Sequence, residues 1–139
     1  MKFLASAALA AFAATASAQC GTLATTGTGA PGTALTIDLS GATPMAMAAL
    51  AVGDTLGTTT INLGSFGSLT LGLAQPFIPL PLGRTDAAGA ASRTINVPST
   101  VTQGIDLNAQ AVVLGISFGQ GGLSLTFCAT NVVSFHLGV

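Results

Sequence analysis

The chain has no tryptophan, no tyrosine and no glutamate, and only 5% of its 139 residues are charged. Each shortage excludes something. Phenylalanine is the sole aromatic, so the Trp and Tyr platforms on which sugars usually stack are missing. Lys2, Arg84 and Arg93 are the only strong cations and form no basic patch. Nucleic-acid binding draws its affinity from neutralised phosphates, so that partner is excluded. One histidine, His136, and two distant cysteines, Cys20 and Cys128, do not supply the three or four ligands of a zinc site. No D-x-D-x-D-G spacing builds a calcium loop. No metal and no cofactor is therefore expected.

The catalytic inventory is equally thin. Nucleophilic hydrolases need a supported base beside Ser, Thr or Cys, and His136 is the only histidine. It falls on the polar side of the last predicted strand and reads as a surface residue. Glycosidases need two carboxylates at a set separation. Asp38, Asp54, Asp86 and Asp106 qualify by residue type alone. Asp54 and Asp86 lie in Gly-containing turns, where Asp is favoured for bonding its own backbone. No catalytic residue is assigned, and the chain reads as a non-enzyme. Scarce charge does not imply disorder, because disorder needs low hydrophobicity and this chain is 50% hydrophobic.

What the chain has begins with an export signal. Lys2 supplies a positive start, Phe3 to Ala14 is apolar, and Ala16-Ser17-Ala18 fits the small-x-small pattern before a signal-peptidase cut. The apolar run is shorter than the ~20 residues that span a bilayer. A cut after Ala18 leaves Gln19 first. Gln19 also argues against a lipidated Cys20, because lipoprotein signals place a small residue there. The domain plan is a signal peptide at 1–18, a Gly- and Thr-rich arm or loop at 19–33, and one folded domain at 34–139. The processed chain sets Arg84 and Arg93 against four aspartates, a net charge of −2. Its destination is the cell surface, the periplasm or the medium.

Apolar residues then alternate with polar ones, the two-residue period of half-buried strands. The clearest stretch is Ile105 to Ile116, IDLNAQAVVLGI. Ile105, Leu107, Ala109, Ala111 and Val113 share one side; Asp106, Asn108 and Gln110 share the other. From Val112 on both sides turn apolar, so the strand enters a covered centre. Leu35, Ile37 and Leu39 alternate likewise, as do Leu69, Leu71 and Leu73. Pro44 to Val52 fits a strand or a short helix capped by Thr43, and strand is preferred beside strands. Pro76 to Leu82, PFIPLPL, reads as an edge strand, because prolines donate no ladder bond. Asp86 to Gly89 is a turn. Arg93 sits in phase with Ile95 and Val97 and must snorkel, pair or lie beyond the core. Leu123, Leu125 and Phe127 lead into a last strand in which Val133, Phe135 and Leu137 oppose Ser134 and His136. Phe66, Phe77 and Phe118 read as core or turn-packing residues.

Seven to nine short strands with turn signals every 8–12 positions predict an all-β fold, a single antiparallel β-sandwich of jelly-roll or Ig-like type. An outer-membrane barrel needs strands of roughly 9–11 residues and aromatic girdles, and these strands read as shorter. Export puts Cys20 and Cys128 in an oxidising space, which favours a bridge from the arm to the penultimate strand. Closing so long a loop is worth roughly 3–5 kcal/mol in the chain-entropy model. The alternative is a buried Cys128 and a free Cys20.

Two segments, DAAGAASRTINVPSTVTQGIDLNAQAVVL and GLSLTFCATNVVSFHLG, carry D-x-x-G, a strand ending in Pro, a Q-A strand and a terminal strand ending in Gly. APGTALTIDLSGATPMAMAALAVGDT and INLGSFGSLTLGLAQP fit the first half of the same pattern. This resembles the small secreted β-sandwich modules abundant in planctomycetes and other large-genome environmental bacteria. The resemblance implies export and a sandwich, and supplies no catalytic residue. It makes Gln110 and Asn131 structural positions that hydrogen-bond at strand ends. The functional expectation is an exported, non-catalytic module that contacts a protein or surface polymer. The alternatives are a self-assembling pilus-like or surface-layer subunit, hence a homo-oligomer, and a carbohydrate-binding protein or hydrolase.

Overall fold

The computed structural model of the chain describes residues 20–119 and 121–139. The signal peptide expected at 1–18 and its expected cut lie outside the described residues. Among the described residues nine strands follow one another: β1 Thr22–Thr26, β2 Ala34–Ser40, β3 Met47–Gly53, β4 Leu56–Asn62, β5 Ser68–Leu73, β6 Phe77–Arg84, β7 Ala91–Asn96, β8 Gly104–Gly119 and β9 Gly122–Gly138. A single 3-10 turn, Gly64–Phe66, is the only helical element among the described residues. Every strand pairing is antiparallel.

The strands form three sheets, ordered β1-β2-β7, β6-β3-β8-β9 and β4-β5. Alternation explains how they stack. Leu35, Ile37 and Leu39 of β2 and Leu23 of β1 face Ala48, Leu50 and Val52 of β3, Ala109, Ala111 and Val113 of β8 and Phe135 of β9. These side chains form the main core. The opposite face of the four-stranded sheet presents Ala51, Val112, Val132, Phe127 and Ala129, and the β4-β5 hairpin covers them with Leu69, Leu71 and Leu73. The centre of the four-stranded sheet is thus buried on both faces, as the apolar turn after Val112 predicts. The expected single core between two layers becomes two cores between three layers.

Several boundaries differ from the sequence reading. The arm or loop read at 19–33 contains one strand, because Thr22–Thr26 pairs in register with β2 and buries Leu23. Threonine is β-branched and suits that edge position. The Pro44 to Val52 segment is a strand from Met47 on. The last two strands are not short: β8 runs for 16 residues and β9 for 17. The glycine-rich reversal near Gly121 joins them as one long hairpin, so Cys128 sits on the last strand, not the penultimate one.

β9 serves both cores because its alternation changes phase. Gln110 pairs with Val132 and Val112 with Ala129, so Thr130 and Asn131 together oppose Ala111. This is a β-bulge, one extra residue on one strand. Before it Phe127 and Ala129 face the hairpin core; after it Val133, Phe135 and Leu137 face the main core.

Candidate functional site

The two open sides of the main sheet pair are each laced by side chains that bond backbone. On one side β6 and β7 meet, and Arg93 Nη1 donates to the carbonyl of Pro81 at 2.9 Å. Arg93 resolves its in-phase position by pairing with a free edge carbonyl. On the other side β1 meets β9. There Asn131 Oδ1 accepts from Leu23 N–H at 2.8 Å and its Nδ2 donates to Leu23 C=O at 3.0 Å. The amide imitates a strand-to-strand pair. The Cys20–Cys128 disulfide closes the same side, with Cα atoms 5.6 Å apart, and both cysteines belong to the main core.

Gln110 performs the same task for the third layer. Its Oε1 accepts from Gly72 N–H at 2.8 Å, and its Nε2 donates to the Thr130 carbonyl at 2.6 Å. A Cβ on Gly72 would lie 3.0 Å from Val132 Cγ2, so glycine permits this close approach. Thr130 Oγ1 accepts from Ala111 N–H at 3.1 Å and donates to Asn131 C=O at 2.9 Å. Gln110 and Asn131 are structural positions, but they act at mid-strand around the bulge and not at strand ends. Thr85, 1% exposed, pins the β2–β3 loop by accepting from Ala46 N–H and donating to Thr43 C=O. These buried polar groups are all paired, as burial requires. Thr85 and Thr130 carried no signal in the sequence. The bulge carried none either: Phe127 and Val133 are in the same two-residue phase in the sequence, and only the inserted residue puts them on opposite faces.

The titratable residues lie apart. Asp38 accepts from Thr26 and Asp54 from Thr55. Asp86 Oδ1 accepts from the N–H groups of Ala88 and Ala90, closing the D-x-x-G turn. The backbone donors at Ala90 and then Ala88 hold its carboxyl below the usual value. Asp106 and His136 pair across β8 and β9, with His136 Nδ1 2.7 Å from Asp106 and Nε2 2.8 Å from the Val139 oxygen. Two oxygens facing two ring nitrogens suit the imidazolium, which donates from both. Asp106 first, and then the Val139 carbonyl, raise the His136 pKa above its usual 6.5. Both ring nitrogens are thereby occupied by acceptors. Among the described residues, no three of His, Cys, Asp and Glu are grouped closely enough to hold a metal ion.

The remaining feature is apolar and exposed. β3 pairs with β8 from Gly53↔Asn108 to Met47↔Leu114 and goes no further. Beyond Leu114 the β8–β9 hairpin continues as a two-stranded ribbon, with Leu114 opposite Phe127 and Ile116 opposite Leu125. Met47, Leu114 and Ile116 share the sheet face that the β4-β5 hairpin covers farther along. Here nothing described covers them. Met45, Met47, Ile116 and Leu123 are 57, 46, 52 and 56% exposed. A cleft of about 260 Å³ is lined by Met45, Ala46, Met47, Arg84, Leu114 and Ile116. The one salt bridge among the described residues is His136–Asp106, so Arg84 has no carboxylate partner there. Phe77 packs on the hairpin core; the side chains of Phe66 and Phe118 lie outside the described residues.

Searches against protein-family models, curated proteins and solved structures each return no match. No helix among the described residues is long and apolar enough to cross a membrane. The disulfide is compatible with a location outside the cytoplasm.

Proposed function

We propose that this chain is an exported, non-catalytic β-sandwich module whose work is contact, made through the apolar strip of Met45, Met47, Leu114, Ile116 and Leu123 with Arg84 at its rim. The observation that carries the reading is the strip itself. Large apolar residues scattered singly need no explanation, but a contiguous set beside a cleft marks an interaction site. The flexible thioethers of Met45 and Met47 suit a surface that adapts to its partner. Arg84 adds one unpaired guanidinium, a donor for a carboxylate or carbonyl on whatever docks. The disulfide and the export signal at 1–18 support a position at the cell surface, in the periplasm or in the medium. The resemblance to small secreted modules points the same way.

The test is retention on the envelope of producing cells. Met47→Lys and Ile116→Lys are expected to shift the protein from the envelope-bound to the free fraction, with circular dichroism unchanged. Ser92→Lys, on the far sheet, is expected to leave the distribution as it is. Wild-type retention by both strip variants overturns the assignment of this surface.

A further inference from the structure

We propose that the cleft at the start of β3 takes a medium-length, straight-chain fatty acid, with its carboxylate on Arg84 and its alkyl chain along Met47, Leu114 and Ile116 beside Met45. This rests on the contact reading above and names the ligand of that surface.

The first support is a single uncommitted charge. Among the described residues every other charged or histidine side chain is engaged within the chain. Asp38 holds Thr26, Asp54 holds Thr55, Asp106 holds His136, and Arg93 holds the Pro81 carbonyl. Asp86, two residues from Arg84, is turned into its own loop by the N–H groups of Ala88 and Ala90. Arg84 alone is left, exposed and on the wall of the cleft. Its planar fork of donors matches the two oxygens of a carboxylate.

The second support is where the polarity lies. Arg84, Met47 and Leu114 stand directly opposite one another on β6, β3 and β8, so their side chains form one row on one face. Ile116, two residues past Leu114, lies on the same face. Only the β6 end of this row is polar. A peptide laid here would bring amides, and the side chains of Met45, Ala46, Met47, Leu114 and Ile116 offer them no hydrogen bond of ordinary strength. An alkyl chain has no such group to satisfy and needs a polar partner at one end only. The cleft of about 260 Å³ holds roughly eight or nine water-sized groups at about 30 Å³ each, which suits a chain of about eight carbons.

The third support is the backbone of Met45. Its φ is 56°, in the left-handed region that a long side chain rarely adopts. The loop is held there from both sides. Met45 N–H donates to the Asp86 carbonyl at 3.2 Å, Ala46 N–H to Thr85 Oγ1 at 2.8 Å, and Thr85 Oγ1 to the Thr43 carbonyl at 2.6 Å. Glycine would fit this position without strain. The chain instead carries a methionine, 57% exposed, on the cleft wall. Strained residues fixed by their surroundings cluster at ligand clamps.

The experiment is an NMR titration of the purified chain, disulfide intact and with isotope-labelled methionine methyl groups, against octanoate. The Met45 and Met47 methyl signals are expected to shift saturably. From butanoate to octanoate the affinity is expected to rise roughly three- to fourfold per methylene, and then to level off. Arg84→Gln is expected to weaken octanoate about fivefold, and octylamine is expected to bind the wild type more weakly than octanoate does. Met45→Gly relieves the strain, so it is expected to leave the melting temperature no lower while weakening octanoate severalfold. No shift at millimolar octanoate, equal binding of octylamine, or octanoate binding unchanged by Met45→Gly would each overturn the proposal. So would a blocked apolar peptide that displaces octanoate at lower concentration, or a dimer in sedimentation that Met47→Lys disperses and octanoate does not. Silence toward octanoate, with envelope retention still dependent on Met47 and Ile116, removes the fatty acid and leaves the contact reading. Octanoate binding by a chain whose retention ignores those residues does the reverse.

Discussion

Between Asn108 and Leu114, strand β8 has a neighbour on each side and apolar layers over much of both faces. From Gly115 onward it has only β9. Neither region carries a charge, and both are rich in apolar residues: NAQAVVL in the first, GISFG facing GLSLT in the second. The difference is what covers them. In the body, side chains tie backbone groups of one layer or edge to another: Arg93 at Pro81, Asn131 at Leu23, Gln110 at Gly72. In the ribbon the bond from Thr126 Oγ1 to the Gly115 carbonyl ties its two strands only to each other.

The most forceful way to break that comparison is to cut the lacing. Replacing both Cys20 and Cys128 with serine is expected to remove roughly 3–5 kcal/mol of stability, since the bridge spans 108 residues of sequence. Urea denaturation measures it, and a loss under about 1 kcal/mol would mean the clamps hold the β1–β9 side alone. A smaller effect comes from the clamps themselves. Asn131→Ala leaves the N–H and C=O of Leu23 without partners and is expected to cost about 1–3 kcal/mol. Ile116→Ser in the ribbon is expected to move stability by no more than about 0.5 kcal/mol, because its side chain is already half exposed. Equal costs at the two sites would erase the distinction between body and ribbon.

The smallest effect is a pH dependence at the end of the hairpin farthest from the ribbon. The folded His136 pKa lies above 6.5, so the bonds to Asp106 and Val139 add stability that is fully present below pH 6.5. That contribution disappears as pH rises through the folded value. Proton NMR of the His136 ring is expected to show a midpoint above 6.5, and Asp106→Asn is expected to lower it. An unchanged midpoint in that variant would break the assignment of cause.

Much of this was legible in the residues. Alternation named the inward faces of β2, β5 and β8, and the prolines of PFIPLPL marked an edge. The Asp86–Gly89 turn followed from local hydrogen bonding. Three features were not legible because they depend on which distant residues meet. Thr22–Thr26 becomes a strand only because β2 offers it a ladder and Asn131 a clamp. The β4-β5 hairpin could have joined either sheet; Gln110 and the apolar far face of the central sheet make it a separate layer. The exposed strip is invisible to hydropathy, since Ile116 and Val113 look alike until one finds a cover and the other does not.

By itself the sequence determined that the chain is strand-forming from Leu35 on, that two cysteines were available to one bridge, and that charge would do little of the binding. A two-residue period fixes which side chains share a face, whatever the fold. Only the tertiary structure decided which faces are covered, because burial is a property of the partner layer. β3 stops at Met47 while β8 and β9 run on, and that difference in length turns ordinary core residues into a surface.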